Sequence, residues 1–297
     1  MTAISTALGI VLVAAAVRDV FDTLFHPHGR GVISEALMGA IWRLTRLTAR
    51  GNHTMLSLAG PVAFITVIAA WGTMVAVGFA LIIWPQLPEG FAIGAGLDAT
   101  AQDGYVDALY LSLVDLTSLG YGDIVPTSDI LRLLGPLETL IGLGLLTASI
   151  SWILSLYRVL SDYRSLSHEI ALLIEAERTS PAGLIGIDPS VSARVLADLT
   201  SRVVTMRDDI AYSPISYYFH PRDSRHALPV LLPRLLEVVE SCSAPERAPA
   251  LRFGAAMLGL AIEDLLATIA ERFLGPTVHG AHDALAHYRR DHLWAAH

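Results

Sequence analysis

The stretch that decides the fold is Thr117-Ser118-Leu119-Gly120-Tyr121-Gly122-Asp123. It follows a short apolar segment and precedes a long one. Two glycines flank one aromatic residue, and glycine reaches left-handed backbone angles at little steric cost. Consecutive carbonyl groups of such a run can point at one axis, where they can replace the hydration shell of a bare cation. Taken alone, Gly-Tyr-Gly-Asp could also form a surface turn. The apolar segments on both sides of it favour the interpretation that its carbonyl groups coordinate a cation.

The run resembles the selectivity filter of the potassium channel superfamily, and the resemblance covers about Pro61 to Tyr157. Outside the filter it is carried by residues that sit where bacterial two-transmembrane potassium channels place comparable ones, namely Ala108-Leu109-Tyr110, Pro126, Arg132 and Gly142. The resemblance implies a homotetramer, because four copies are needed to close rings of carbonyl oxygens.

The resemblance also implies a role for each residue of the run. The filter would consist of Ser118, Leu119, Gly120, Tyr121 and Gly122, with potassium bound by the carbonyl or hydroxyl oxygens of the first four. Asp123 would concentrate cations at the outer mouth, and Tyr121 would pack against the preceding helix. Ser118 replaces the usual threonine but keeps a hydroxyl, and Leu119 replaces a stiffer β-branched residue.

The composition is that of a membrane protein. Of 297 residues, 53% are hydrophobic and 16% are charged, with a mean hydropathy of +0.53. The net charge of −8 argues against a nucleic-acid partner. All 20 basic residues are arginines, so a phosphate-binding loop ending in Gly-Lys-Ser/Thr and a Schiff-base lysine are both excluded. Cys242 is the single cysteine and indicates a buried thiol.

Three long apolar segments predict three membrane spans. These are Thr2 to Phe25, Pro61 to Trp84, and a helix from about Asp129 to Arg158. A cleaved signal peptide is the alternative for the first segment, since Ala14-Ala15-Ala16 resembles a cleavage site, but a basic n-region is missing. Arginines follow the first and third segments and none lies between Pro85 and Val106, so that loop is predicted to be external.

The sequence therefore predicts an all-α membrane protein with four parts. Residues 1–26 form an N-terminal membrane helix, 27–60 a cytoplasmic interfacial helix, 61–160 the pore domain, and 161–297 a cytoplasmic helical domain for regulation or assembly. Helical periodicity in the last part predicts helices over Tyr163 to Arg178, Pro189 to Ala211, Leu228 to Ser241, Glu246 to Phe273 and Thr277 to Ala296.

The short segment Asp107 to Thr117 is predicted to be a re-entrant helix, because it cannot cross a bilayer and its backbone is tolerated there only when buried in protein. Asp107 could cap its start. The negative end of its dipole would favour a cation in the pore. Together with an outer and an inner helix, this gives a potassium-channel-like pore domain.

Several residues of the inner helix are candidates for gating. Gly142 is either a gating hinge or a site of close helix packing. By the register of the family, Leu143, Leu146, Ile150 and Leu154 face the pore, where an apolar ring can close it by dewetting. Glu138 is an intramembrane acid, expected behind the filter in a hydrogen bond to the re-entrant helix; a purely structural hydrogen bond is the alternative. Pro136 is expected to kink the helix.

Two polar clusters suggest divalent-metal sites, but solvated helix faces explain such patterns more often. The first contains Asp19, Asp22, His26 and His28. The second contains Asp283, His287 and Asp291, with His279, His282, His292 and His297 nearby.

The function predicted from these observations is a homotetrameric potassium-selective channel in a bacterial plasma membrane. It would be multi-pass, with a cytoplasmic C-terminus, and would be gated through the inner helix and the helical domain. Potassium ions are the expected cargo, the bilayer the expected surroundings and a cytoplasmic ligand a possible partner; neither an organic cofactor nor an enzyme activity is expected. The alternatives are a membrane sensor or scaffold with a degenerate pore, a nonselective cation channel, and a potassium transporter subunit, which would resemble four fused pore repeats.

Overall fold

The computed structural model describes residues 2–25, 31–49, 51–94 and 103–294. These residues are predominantly helical, which confirms the predicted all-α class. The helices are α1 (Thr2–Leu24), α2 (Val32–Ala49), α3 (His53–Leu56), α4 (Ala59–Ile83), α5 (Tyr105–Leu116), α6 (Asp129–Thr179), α7 (Pro189–Tyr212), α8 (Leu228–Ser243), α9 (Pro249–Ile269) and α10 (Gly280–Asp291), and the strands are β1 (Phe91–Ile93) and β2 (Ile124–Pro126).

The chain divides into two compact units. Unit 1 comprises residues 1–37 and 64–154, and unit 2 comprises residues 38–63 and 155–297. Helices α4 and α6 each run without interruption from one range into the other. Residues 38–63 belong to the same unit as the C-terminal part of the chain, although in the sequence they lie next to the helices of unit 1.

Small residues bring α1 and α4 together in unit 1. A Cβ atom placed on Gly9 would lie 2.4 Å from the carbonyl oxygen of Gly78. Such glycines let two backbones approach closely, which matters in lipid because burial of apolar surface there drives little association. Nearby, Ala16 of α1 packs in a buried cluster with Val75 and Phe79 of α4.

Asp19 of α1 is a buried acid that joins three helices. Its carboxylate accepts hydrogen bonds from the backbone N–H groups of Ile33 and Ser34, at 2.8 and 3.2 Å, and also from the hydroxyl of Ser34. The indole Nε1–H of Trp71 in α4 donates to the same carboxylate at 2.8 Å. The first N–H groups of a helix have no partner within it, so Asp19 serves as the cap of α2 from another helix.

A second apolar cluster surrounds the beginning of α5. It joins the end of α4, both strands and the start of α6 through Ala80, Ile83, Leu87, Phe91, Ala108, Leu111, Ile124 and Leu131. The segment that carries Gly120 and Tyr121 thus begins and ends in well-packed protein.

The two strands were not predicted from the sequence. They pair antiparallel, with Phe91 opposite Pro126, Ala92 opposite Val125 and Ile93 opposite Ile124. Three residues are too few for an alternating pattern to be recognised. The pairing ties the chain before α5 to the chain directly after Asp123.

Helix α6 is longer than predicted. The helix expected to end at Arg158 and the separate helix expected over Tyr163 to Arg178 form one helix of 51 residues. No glycine or proline interrupts the chain between Arg158 and Tyr163, so no local feature ends the helix there. Pro136, expected to cause a kink, lies inside this helix. The other predicted C-terminal helices correspond to α7–α10, with shifted ends for α9 and α10.

Among the residues that the structure describes, four helical segments are long and apolar enough to cross a membrane: Thr2–Leu24, His53–Gln86, Asp129–Thr179 and Pro249–Leu274. The first three contain the predicted spans. The fourth is the most buried of them: 50% of its apolar stretch lies within the protein, against 39% in His53–Gln86, 17% in Thr2–Leu24 and 11% in Asp129–Thr179. Packing against α7, α8 and α10 in unit 2 explains the apolar character of this helix.

Asp291, at the end of α10, organises the polar interior of unit 2. Its carboxylate accepts hydrogen bonds from Trp42 Nε1 at 2.8 Å and from the Tyr217 hydroxyl at 2.6 Å, and it pairs with Arg46. Trp42 and Arg46 lie on α2. The amphipathic pattern of α2 thus serves to bury one face against the C-terminal helix, with Arg46 engaged on that side.

Three histidines form a chain beside Asp291, in which His220 and His292 are buried and His53 is half-buried. His53 Nδ1 and His220 Nε2 are 2.9 Å apart, and His220 Nδ1 and His292 Nδ1 are 3.3 Å apart. Trp294 stacks on His53 with ring centroids 3.9 Å apart. Burial and the neighbouring His292 and His53 lower the pKa of His220 to about 3, and burial together with the charge of Arg46 lowers the pKa of His292 to about 3. Both are therefore neutral at pH 7.

We predict that Asp19→Ala destabilises the protein by roughly 2–4 kcal/mol, because it leaves buried N–H donors without an acceptor. The matched control is Asp22→Ala, since Asp22 pairs with the exposed Arg18 and such pairs contribute about 1 kcal/mol or less. Thermal unfolding in detergent, followed by tryptophan fluorescence, measures both. Equal losses in the two variants would contradict the capping role of Asp19.

We predict that acidification destabilises unit 2 through His220 and His292. The pKa of each is lowered on folding, so the unfolded chain binds protons more readily. Their contribution is complete above pH 6.5 and is lost as pH falls from 6.5 toward 3, by up to about 1.4 kcal/mol per pH unit for each residue.

The test compares unfolding midpoints between pH 7 and pH 4. His292→Asn should show a shallower loss of stability with acidification than the wild type, while the exposed His279→Asn should follow the wild type. Parallel pH profiles for all three proteins would show that the buried histidines do not contribute.

Candidate functional site

Helix α5 begins with a capping arrangement that the sequence predicted in part. Gly104 is the N-cap residue, and its N–H donates to Asp107 Oδ2 at 3.1 Å. Because the helix starts at Tyr105, Asp107 occupies its third position and caps the helix from there, while Gly104 is the N-cap residue. The carboxylate near the N-terminus also complements the helix dipole.

The residues after α5 alternate in backbone handedness. Ser118, Gly120 and Gly122 have φ angles of 54°, 57° and 72°, while Leu119 and Tyr121 between them do not have positive φ. In an extended strand successive carbonyls point to opposite sides; a left-handed residue at every second position turns them toward the same side. Glycine adopts these angles without strain, whereas Ser118 does so as one of the few non-glycine residues.

The side chains of this run are exposed in the single chain. Leu119 is 55% exposed and Tyr121 is 66% exposed. Tyr121 is thus largely uncovered in the single chain, and its packing against the re-entrant helix stays a prediction.

Asp123 holds the C-terminal end of the run in place. The hydroxyl of Tyr110, on α5, donates to Asp123 Oδ2 at 2.7 Å. The N–H of Gly94 donates to the backbone carbonyl of Asp123 at 2.8 Å. Asp123, predicted at the mouth, thus also connects the run to α5 and to the end of β1. In the sequence, Tyr110 contributes only to the resemblance. Its hydroxyl group, a hydrogen-bond donor on α5, is the feature that could have predicted the contact with Asp123.

Helix α6 supports the other end of α5 through polar contacts. Thr139 Oγ1 donates to the carbonyl of Asp115 at 2.7 Å. Glu138 is fully buried and lies 2.5 Å from the hydroxyl of Ser112. The predicted hydrogen bond between this acid and the re-entrant helix is therefore present. Ser112 was not predicted as its partner, because a lone serine in an apolar helix gives no distinctive pattern.

Gly142 lies where the end of α5 contacts α6. A Cβ atom at this position would be 2.3 Å from the carbonyl oxygen of Leu116, whereas a Cβ atom at Gly144 would meet nothing within 4 Å. This geometry favours the close-packing interpretation of Gly142. Its role as a gating hinge stays a prediction.

The predicted pore-lining stripe lies on an open face of α6. Leu143, Leu146, Ile150 and Leu154 are all large apolar residues that the single chain leaves exposed. Their exposure leaves room for a pore or for partner helices, and the choice between them stays a prediction.

The two suspected metal clusters are not assembled among the described residues, which contain no group of three or more His, Cys, Asp or Glu side chains placed to hold a metal. Asp19 is engaged as described, and Asp22 pairs with Arg18. Asp283 and His287 form a surface pair at 3.0 Å, while Asp291 bonds elsewhere. His26, His28 and His297 lie outside the described residues.

Residues 67–158 match the model of a family described as Ion channel. The matched range contains most of α4, all of α5, the alternating run and the membrane part of α6. The match confirms the resemblance inferred from the filter residues: this part of the chain is similar to an ion channel family.

The chain is also similar to "Uncharacterized membrane protein YdjJ" of Bacillus subtilis (strain 168), with 25% identity over 166 residues. The alignment covers 56% of this chain and 48% of the relative, so the chain spans about half the length of that curated protein. No solved structure matches the chain significantly. Together with the apolar helices, these findings describe a multi-pass membrane protein.

We predict opposite effects of alanine at the two inner-helix glycines. Alanine favours a helix interior by about 1 kcal/mol over glycine, so Gly144→Ala should be neutral or stabilising. Gly142→Ala should destabilise the protein despite this gain, because the new methyl group meets the Leu116 carbonyl. Thermal unfolding in detergent measures both. A stabilised Gly142→Ala would contradict the packing role and favour a hinge without close contact.

Proposed function

We propose that the chain forms a potassium-selective channel in which four copies surround one conduction path. The observation that carries this proposal is the left-handed backbone at Ser118, Gly120 and Gly122. With this backbone, the carbonyl oxygens of the run point to the same side of the strand. Four such runs around one axis would form stacked rings of oxygens. Rings of this kind replace the hydration shell of a cation.

The exposed residues of the run support an assembly of several copies. Leu119 and Tyr121 are large side chains that a single chain leaves uncovered. In a tetramer the neighbouring copies would cover them, and the carbonyl groups would face the axis. Potassium is the cargo, held through the oxygens of Ser118, Leu119, Gly120 and Tyr121.

Charge favours cation entry and sets the proposed orientation. Asp123 places a carboxylate at the end of the run, where it raises the local concentration of cations. The absence of arginine between Pro85 and Val106 supports an external position for this mouth, with unit 2 in the cytoplasm of a bacterial cell and the chain in the plasma membrane.

Gating is proposed to involve α6. Its exposed stripe from Leu143 to Leu154 would line the pore beyond the filter and could close it by dewetting. Since α6 continues to Thr179, a change in unit 2 acts on the same helix. A cytoplasmic ligand would shift the gate only through different affinities for the open and closed states.

Ion flux into proteoliposomes tests the proposal. Potassium and rubidium should enter much faster than sodium through the purified full-length protein. Comparable sodium and potassium fluxes would indicate a nonselective cation channel, and no flux under any condition would favour a sensor or scaffold.

We predict that Gly122→Ala abolishes selectivity or conduction. A Cβ atom there meets nothing within 4 Å, so the effect arises from the positive φ, which costs an alanine roughly 1–2 kcal/mol. Gly144→Ala, in ordinary helical backbone, is the control. If Gly122→Ala conducts with unchanged selectivity, the filter is assigned to the wrong residues.

A further inference from the structure

Three helices of unit 1 meet at the hydroxyl of Ser112. Ser112 Oγ lies 2.8 Å from the carbonyl oxygen of Ala76 in α4 and 2.5 Å from Glu138 Oε1 in α6. Both Ser112 and Glu138 are 0% exposed. The contact therefore lies away from solvent, between the re-entrant helix and the two helices that flank it.

The number of hydrogens at this contact is informative. A serine hydroxyl carries one hydrogen, a backbone carbonyl can only accept, and an ionised carboxylate can also only accept. If Glu138 were ionised, one of the two short oxygen–oxygen contacts would have no hydrogen between its atoms. One additional proton, on Glu138, gives each contact a donor: Glu138 donates to Ser112, and Ser112 donates to Ala76.

The surroundings of Glu138 also oppose a negative charge. Its second oxygen, Oε2, has no hydrogen-bond partner among the described residues. The titratable group that faces it from α5 is Asp115, which carries the same sign of charge. On its own helix it is flanked by Leu134 and Ile141, which pack with Ala16, Val75 and Phe79 of α1 and α4. A carboxylate without a cation or sufficient donors is costly in such a place.

We propose that Glu138 is a proton-binding site, and that its bound proton makes it the donor that fixes α5 between α4 and α6. It is a positioning residue, since α5 ends directly before the filter. Its effect on conduction rests on the proposed channel function, whereas its protonation does not. If Glu138 lost its proton, the hydroxyl of Ser112 would donate to Glu138 and no longer to the carbonyl of Ala76. The carboxylates of Glu138 and Asp115 would then also lie close together with the same charge.

Infrared spectroscopy of the full-length protein tests the protonation directly. The wild type at neutral pH should show the carbonyl stretch of a protonated carboxyl group, which Glu138→Gln removes and Glu138→Asp shifts. Raising the pH should convert the wild-type band into carboxylate bands. Absence of a protonated band that depends on residue 138 overturns the proposal, whether or not the protein conducts.

Potassium flux then tests the consequence for conduction. Wild-type flux should fall by about tenfold from neutral to alkaline pH, as expected for loss of a buried hydrogen bond. In Glu138→Gln the ratio of alkaline to neutral flux should be close to one, because the amide donates at every pH. The same alkaline fall in both proteins would overturn the positioning role.

A matched pair of serine variants distinguishes this contact from any buried hydroxyl. Ser112→Ala removes the acceptor of the Glu138 proton and should weaken the alkaline fall in flux. Ser149 is also buried, but its hydroxyl donates to the carbonyl of Leu145 in its own helix, so Ser149→Ala should keep the wild-type pH profile. Identical profiles for the two variants would contradict the proposal.

Discussion

A backbone carbonyl can coordinate a passing cation only if its neighbours point the same way and nothing else occupies its lone pairs. The first condition explains the alternating handedness from Ser118 to Gly122. The second explains where the hydrogen bonds go: the N–H groups of Thr117, Ser118 and Leu119 turn back to carbonyls of α5. The end of α5 is thereby satisfied internally, while the carbonyls of the following run stay available. In a membrane, backbone of this kind is stable only where protein surrounds it, and the exposed side chains of Leu119 and Tyr121 show that a single chain does not surround the run.

Polar contacts position the helices that hold this run. In lipid, apolar side chains gain little by leaving one apolar neighbour for another, so small residues and hydrogen bonds determine the packing. Asp19 fixes α2 to α1 and α4, Thr139 and Glu138 fix α5 to α6, and Tyr110 fixes α5 to Asp123. These pairs join residues between 13 and 52 positions apart in the sequence, so unit 1 depends on a few specific contacts.

The sequence predicted what local chemistry determines. The run of glycines, the apolar lengths and the arginine distribution give the pore helices and the resemblance to channels, because each is readable within about twenty residues. The sequence did not predict the partners of Asp19 or Ser112, since hydrogen bonds across 52 and 26 residues depend on three-dimensional packing. The strands are too short for a pattern, and α6 is one helix where the sequence analysis predicts two, although no glycine or proline separates Arg158 from Tyr163.

The grouping of residues 38–63 with the C-terminal part bears on how a gate can be controlled. Trp42 and Arg46 bind Asp291, and His53 binds His220, so the chain just before α4 is held by the chain that follows α6. The outer helix therefore begins, and the inner helix ends, within one folded unit. Within the proposed function, a rearrangement of that unit would reach the start of α4 and the end of α6 together.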